Sequence, residues 1–190
     1  IHSHDLFKEI DEYLRKARAN PDLVAAVPGN AYVVHSGGSA VSLSAATKKT
    51  LWYINAAAAN QPSICEIAVA FDGVTASAVP ALVEFCNGTK ATNSTPGTGS
   101  SSFTPVQVRG WPAQSSAQTA ANTITSEPTV YTTNKQFLLS PNGGLLVIQF
   151  PLGREWTGLA SGTAASGNQL AVAVTAPATV NARSYSEYEE

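Results

Sequence analysis

The sequence predicts an all-β fold, an antiparallel β-sandwich of jelly-roll character, preceded by a short amphipathic helix. Three observations carry this reading. From Ala40 onward apolar residues recur with a period of two, the runs are short, and clusters of Gly, Pro, Asn and Asp separate them with no helical pattern between. Charge divides the chain as well, because residues 1–30 hold Asp5, Lys8, Glu9, Asp11, Glu12, Arg15, Lys16, Arg18 and Asp22, whereas the rest is far sparser. The expected organisation is an N-terminal helical arm and linker over 1–30 and a β-sandwich domain over 31–190.

In the first segment Leu6, Ile10, Tyr13, Leu14 and Ala17 recur at three- and four-residue intervals. Ser3 is placed to cap the helix, acids come early, bases come late, and Asn20-Pro21 stops it. A helix of about 15 residues is marginal alone, so this stripe needs a partner surface, either the chain's own sandwich or a neighbouring subunit. Burying its four large apolar side chains at roughly 1.5 to 3 kcal/mol each would fix it there. Residues 22–38 include Pro28-Gly29-Asn30 and Gly37-Gly38 and read as a linker with one short extended piece at Ala31–His35. The strands expected after it are 40–44, 50–55, 63–72, 79–86, 104–110, 123–130, 136–139, 145–150, 169–175 and 180–188. Their separators carry turn chemistry: Asn60-Gln61-Pro62, Asp72-Gly73, Pro141-Asn142-Gly143-Gly144, Ser166-Gly167-Asn168 and Ala176-Pro177. Residues 56–59 suffice for one helical turn at most, and 87–102, rich in Thr, Ser, Gly and Asn, read as an exposed loop.

If 63–72 and 79–86 pair as a hairpin begun at Asp72-Gly73, one register sets Ile67, Val69 and Phe71 beside Phe85, Val83 and Ala81. That register places Glu66 and Glu84 together on the outer face and Cys65 and Cys86 on opposite faces. A slip by one residue would bring the cysteines together only by turning Glu84 and Pro80 onto the apolar face. Two buried free thiols are therefore expected, and two cysteines are in any case too few to define a disulfide framework.

A net charge of -2 gives no electrostatic footprint for DNA or RNA, so nucleic acid is not an expected partner. No run approaches the roughly 18 to 20 apolar residues of a membrane span, and Ile1-His2-Ser3-His4-Asp5 lacks the regions of a signal peptide, so a soluble chain without a membrane partner is expected. Only 13% of residues are charged, which suits a surface partly covered by other subunits.

The residues that could carry chemistry are few. The histidines, His2, His4 and His35, all fall outside the expected sandwich strands, and no nucleophile–base triad assembles from them. His2, His4 and Asp5 sit on a terminus that offers no second shell, so neither a metal nor another cofactor is expected. Glu66 and Glu84 read as solvated or salt-bridged side chains in preference to a glycosidase pair, and no P-loop or GxGxxG sequence occurs. Asn87-Gly88-Thr89 and Asn93-Ser94-Thr95 match the glycosylation triplet, a pattern common by chance. Trp111 and Trp156 are candidates for a sugar platform or, more economically, a subunit contact; of Trp52 and Tyr53, adjacent in a strand, only one can face the core. Pro151-Leu152-Gly153-Arg154-Glu155 ends an apolar strand and presents Arg154 and Glu155 at one end of the sandwich, as an internal ion pair or a contact to a neighbour. The candidate partner-binding residues are thus Leu6, Ile10, Tyr13, Leu14, Arg154, Glu155 and Trp156, with no catalytic residue.

Several ordered blocks have a further reading: the ten residues from Phe71-Asp72-Gly73-Val74 to Val79-Pro80, then Ser126-Glu127-Pro128-Thr129, then Ser140-Pro141-Asn142-Gly143-Gly144 with Gln149-Phe150-Pro151-Leu152-Gly153-Arg154-Glu155, and Ala176-Pro177-Ala178-Thr179-Val180-Asn181-Ala182 before an acidic end. Together they make residues 40–190 resemble a family of small virion proteins of tailed bacteriophages, chiefly those of actinobacteria, described as capsid decoration, head or minor tail proteins. The blocks contain no catalytic signature, and the arm is not part of the pattern. The resemblance implies a non-enzymatic protein made in the host cytoplasm and carried on the phage head surface. Its partners would be the major capsid protein and copies of itself in a homotrimer. The alternative it leaves open is a minor tail or head-fibre protein that binds a host-surface glycan. Deleting residues 1–20, or changing Leu6 and Ile10 to Asp, is expected to leave the sandwich folded but release it from particles; occupancy on purified particles is the measurement.

Overall fold

The computed structural model describes residues 29–57, 61–73, 79–89, 101–110, 112–124, 127, 130–151, 153–157 and 169–190. The expected N-terminal helix, with Leu6, Ile10, Tyr13 and Leu14, lies outside them, as do Trp111 and most of the 87–102 loop. The described strands are β1 (Ala31–His35), β2 (Val41–Leu43), β3 (Lys48–Asn55), β4 (Ser63–Phe71), β5 (Ala81–Thr89), β6 (Ser101–Phe103), β7 (Val106–Arg109), β8 (Thr119–Asn122), β9 (Val130–Leu139), β10 (Leu145–Gln149), β11 (Trp156–Thr157), β12 (Gln169–Thr175) and β13 (Val180–Glu189).

They form two antiparallel sheets. One has the order β10-β4-β13-β1-β7, with β11 pairing with β4 beyond β10 and β2 pairing with β13 beyond β1. The other runs β6-β8-β3-β12-β5-β9. We call them, by a central strand, the β13 sheet and the β12 sheet. Alternation along each strand sends every second side chain inward, and the inward sets meet in one cluster. Tyr32, Val34, Ile64, Ile67, Val69 and Tyr188 come from the β13 sheet, with Trp52, Ile54, Val83, Phe85, Leu170 and Val172 from the β12 sheet.

Polar atoms also cross the core. The buried Trp52 indole of β3 donates to Ser184 Oγ of β13 at 2.9 Å, and that hydroxyl donates onward to the Ala68 carbonyl at 2.8 Å. At the flank near β4 and β5, Trp156 of β11 stacks on Phe85 with ring centroids 5.7 Å apart, and its indole N–H donates to Asn87 Oδ1 at 3.1 Å. The two sheets are therefore tied at the centre and at one side.

Several expectations are corrected. Ala31–His35 is a strand held between β13 and β7, so it belongs to the sheet and not to a linker. The 63–72 and 79–86 runs do not make a hairpin, since β4 pairs with β10 and β13 while β5 pairs with β12 and β9. The inward residues were identified correctly, but they face each other across the core and not along a ladder; alternation specifies a face, not a neighbour. Asp72 instead takes the Asn181 backbone N–H and side-chain amide at 3.2 Å each. The strand expected over 123–130 is interrupted: β8 ends at Asn122, Thr123 turns with φ 51°, and β9 absorbs the run expected at 136–139. Gly143, with φ 67°, and Gly144, where a Cβ would meet the Ser140 carbonyl at 2.1 Å, turn the chain from β9 in one sheet to β10 in the other.

Ser184→Ala would strand the Trp52 N–H in an apolar layer, and a buried donor left unpaired costs about 1–3 kcal/mol. The expected result is a destabilisation of that size by urea denaturation, with Trp52→Phe in the same background recovering part of it.

Candidate functional site

The two sheets have two outward faces, and they differ. On the β12 sheet the chain after β8 closes over the outside. Ile124 packs with Tyr53, Ala121 and Ala171 in a second buried cluster. Lys49 donates to the Ile124 carbonyl and pairs with Glu127 at 3.2 Å, and Glu127 accepts the Thr50 N–H at 2.9 Å. Burial drives the Tyr53 hydroxyl pKa upward, and that hydroxyl has no hydrogen-bond partner among the described residues. Beside this cluster the buried Glu84 carboxylate meets Lys48 Nζ at 2.8 Å and accepts from Thr133 at 2.8 Å and from Gln136 at 3.4 Å. Desolvation pushes its pKa up, but the Lys48 charge and these donors outweigh it, and the net shift is downward.

The outer face of the β13 sheet is different. Because Ile67 and Val69 of β4, Leu146 and Ile148 of β10, and Ser184 and Tyr188 of β13 turn inward, their strand neighbours turn out. Cross-strand register sets these in three rows. The first is Leu145, Ala70 and Arg183; the second is Val147, Ala68, Tyr185 and His35; the third is Gln149, Glu66, Glu187, Val33 and Val106. Leu145 is 64% exposed, Val147 49%, Tyr185 39% and Val106 57%. Large side chains left this open on alternate strands of one face mark an interaction surface, whereas single ones need no explanation.

A polar patch interrupts that surface. Tyr185 donates its hydroxyl proton to Glu66, and Gln149 Nε2 donates to the other Glu66 oxygen at 2.8 Å. These two donors hold the Glu66 pKa below the usual carboxylate range, while the bond to Glu66 raises that of Tyr185. Nearby, His35 Nδ1 accepts the Gly37 N–H at 3.0 Å. The arrangement can accept hydrogen bonds and bury apolar area. Among the described residues no group of His, Cys, Asp and Glu is arranged to hold a metal ion, and no helix is long and apolar enough to cross a membrane.

Of the residues singled out by sequence, Trp156 is half-buried against Phe85 of its own chain. Arg154 is exposed, its backbone N–H bonded to the Pro151 carbonyl at 2.9 Å. Glu155 accepts the Gly153 N–H at 2.8 Å, and among the described residues no ion pair joins it to Arg154. Glu66 and Glu84, expected side by side, are on opposite sheets. Cys65 and Cys86 are free thiols, also on different sheets; Cys86 is buried and Cys65 half-buried, and burial raises the pKa of each. Sequence reasoning missed Leu145, Val147 and Tyr185. The signal was present: Leu145-Leu146-Val147-Ile148 is apolar on both faces, where a strand with one solvated face alternates.

Comparison of the chain with protein-family models, curated proteins and solved structures finds no match.

Glu84 supplies a pH test. Because its pKa is lowered in the folded state, its stabilising contribution is present above the unfolded Glu value of about 4.3 and is lost as pH falls through the lower folded value. Acid is therefore expected to weaken the protein in that window, with Glu84→Gln flattening the dependence. Glu84→Ala removes the carboxylate that Lys48, Thr133 and Gln136 all reach and is expected to cost about 1–3 kcal/mol at neutral pH.

Proposed function

We propose that this chain is a structural, non-enzymatic virion protein. It binds the outside of a phage capsid as a decoration or cement protein and stabilises the head through subunit contacts. One observation carries the reading: on the outer face of the β13 sheet Leu145 and Val147 of β10, Tyr185 of β13 and Val106 of β7 stand open on alternate strands, whereas on the β12 sheet Ile124 packs over Tyr53, Ala121 and Ala171. A catalytic reading has less to draw on, since among the described residues Glu66 is engaged by Tyr185 and Gln149 and Glu190 by Ser116, Ala117 and Gln118.

Strand order supports the finer reading of a jelly roll. With β1 and β2 taken as one bent strand and β10 and β11 as another, the first sheet alternates early and late strands as β1/β2-β13-β4-β10/β11. The second does so as β3-β12-β5-β9. This is the interleaving produced by eight strands wound as two Greek keys. Strands β6, β7 and β8 then form an insertion between β5 and β9 that widens both sheets. Stable contacts bury about 1,200 to 2,000 Å² in total, and repetition around a three-fold axis multiplies a modest contact through avidity.

The experiment is to add purified chain to capsid shells lacking it and measure occupancy. Leu145→Asp with Val147→Asp is expected to reduce bound copies at least tenfold, while Leu138→Asp, an exposed position on the β12 sheet, leaves occupancy unchanged. Equal occupancy for all three would overturn the assignment of this face.

A second reading, a tail or head-fibre protein that binds a host-surface glycan, draws on the exposed Tyr185 ring beside Glu66 and Gln149, an aromatic platform with polar acceptors. Under it, Tyr185→Ala abolishes adsorption to host cells and leaves capsid stability unchanged; adsorption that survives the change excludes this site.

A further inference from the structure

We propose that the open face of the β13 sheet receives residues 3–20 of a neighbouring copy of this chain, laid along the strands as an amphipathic helix. The inference rests on the reading of the chain as an assembly protein and names the partner of its docking face.

Dimensions agree. The apolar stripe runs from Leu6 to Leu14, about 12 Å at 1.5 Å per helical residue. Along β13 the open rows run from Arg183 to Glu187, about 13 Å at 3.3 Å per strand residue. The middle of the face suits such a stripe, because Ala68 and Ala70 form a shallow floor between the taller Val147, Leu145 and Tyr185.

Charge agrees as well, and fixes a direction. Arg183 marks one end of the face, and Glu66 and Glu187 mark the other. In the segment Asp5 precedes the stripe, Lys8, Glu9, Asp11 and Glu12 fall between its apolar residues, and Arg15, Lys16 and Arg18 follow it. Laid with its start over Arg183, the helix brings its bases above the two glutamates, and opposite charges fall together at both ends.

The path of the backbone points to a neighbour as the donor. β1 runs from Ala31, opposite Glu189, to His35, opposite Tyr185. The chain before Ala31 therefore leaves over the Glu189 end of the sheet, away from the apolar rows. Asn30 is held in that line, its carbonyl accepting the Glu190 N–H at 3.2 Å and its side chain joined to Gln107 at 3.1 Å and Gln114 at 2.6 Å. Pro21 and Pro28 bar a continuous helix through the connecting residues. Ten residues, 21–30, can reach at most about 33 Å, enough to bring the segment to a neighbouring copy. An arm of one copy on the face of the next is a heterologous contact, and such contacts form a ring when the rotation between copies closes, at three copies for a trimer.

Complementation tests this without any particle. One variant lacks residues 1–20 and keeps the face; a second carries Leu145→Asp with Val147→Asp and keeps the arm. Each alone is expected to be monomeric by analytical ultracentrifugation at concentrations where the full chain is oligomeric, with unchanged β-sheet circular dichroism. Mixed, they are expected to form a 1:1 complex, which Leu6→Asp with Ile10→Asp in the arm donor abolishes. Two results overturn the proposal: assembly of the arm-deleted chain as in the full chain, meaning that face meets face, or a mixture that stays monomeric, meaning that the segment seats on its own chain or elsewhere. Shell binding is measured separately, so a failed complex with intact shell binding refutes only this inference, and a complex without shell binding refutes only the virion reading.

Discussion

Two sheets present four faces to the world, and the chain must dispose of all of them with the side chains it has. Two faces are consumed when the sheets meet over one apolar layer. There the buried Trp52 indole reaches from β3 to Ser184 on β13, and that serine hydroxyl donates a hydrogen bond to the Ala68 carbonyl. A polar tie of this kind stabilises only because every member is satisfied, and it sets how the sheets lie on one another. The stacked Trp156 and Phe85 close the flank that the tie does not reach. Everything outside the core follows from that juxtaposition, because it decides which strand neighbours are left pointing outward.

The two remaining faces receive opposite treatment. Outside the β12 sheet the central side chains are covered or engaged, since Ala121, Ala171 and Tyr53 lie under Ile124 and Glu84 is neutralised by Lys48, while Leu138 stands exposed on the edge strand β9. Every residue of β12 from Gln169 to Val174 is consequently buried. Outside the β13 sheet the chain supplies no such cover from its described residues, and aliphatic side chains stand beside a carboxylate satisfied by Tyr185 and Gln149. A sparsely charged chain with one face covered at its centre and the other open carries exposed apolar area of the kind that marks an interaction surface.

Much of this was legible in the sequence. The period of two gave the all-β class, β12 at its observed bounds and the inward sets Ile67-Val69-Phe71 and Ala81-Val83-Phe85. Partnering was not legible, since alternation says which way a side chain points but not which strand lies beside it; β4 and β5 satisfy the same pattern in opposite sheets as they would in a hairpin. The break at Thr123 was hidden for a related reason, because a positive φ at a β-branched residue runs against propensity and is imposed by the crossing of the chain over the β12 sheet. The open face was half legible. Leu145-Leu146-Val147-Ile148 announces a strand apolar on both sides, but only the sheet order shows that its outer side goes uncovered by described residues while that of β12 does not. Trp156 reads in sequence as an exposed contact residue, and only the approach of Phe85 across the flank shows its ring packed internally.

The central claim is that the outer face of the β13 sheet is the surface this protein offers to its assembly. The most direct measurement is amide hydrogen exchange on the protein bound to shells against the protein free in dilute solution. The account requires slowed exchange at Leu145–Gln149 and in the outer rows of Val180–Glu189, with β5 and β9 unchanged. Slowing confined to the β12 sheet, or none in either sheet, would contradict it.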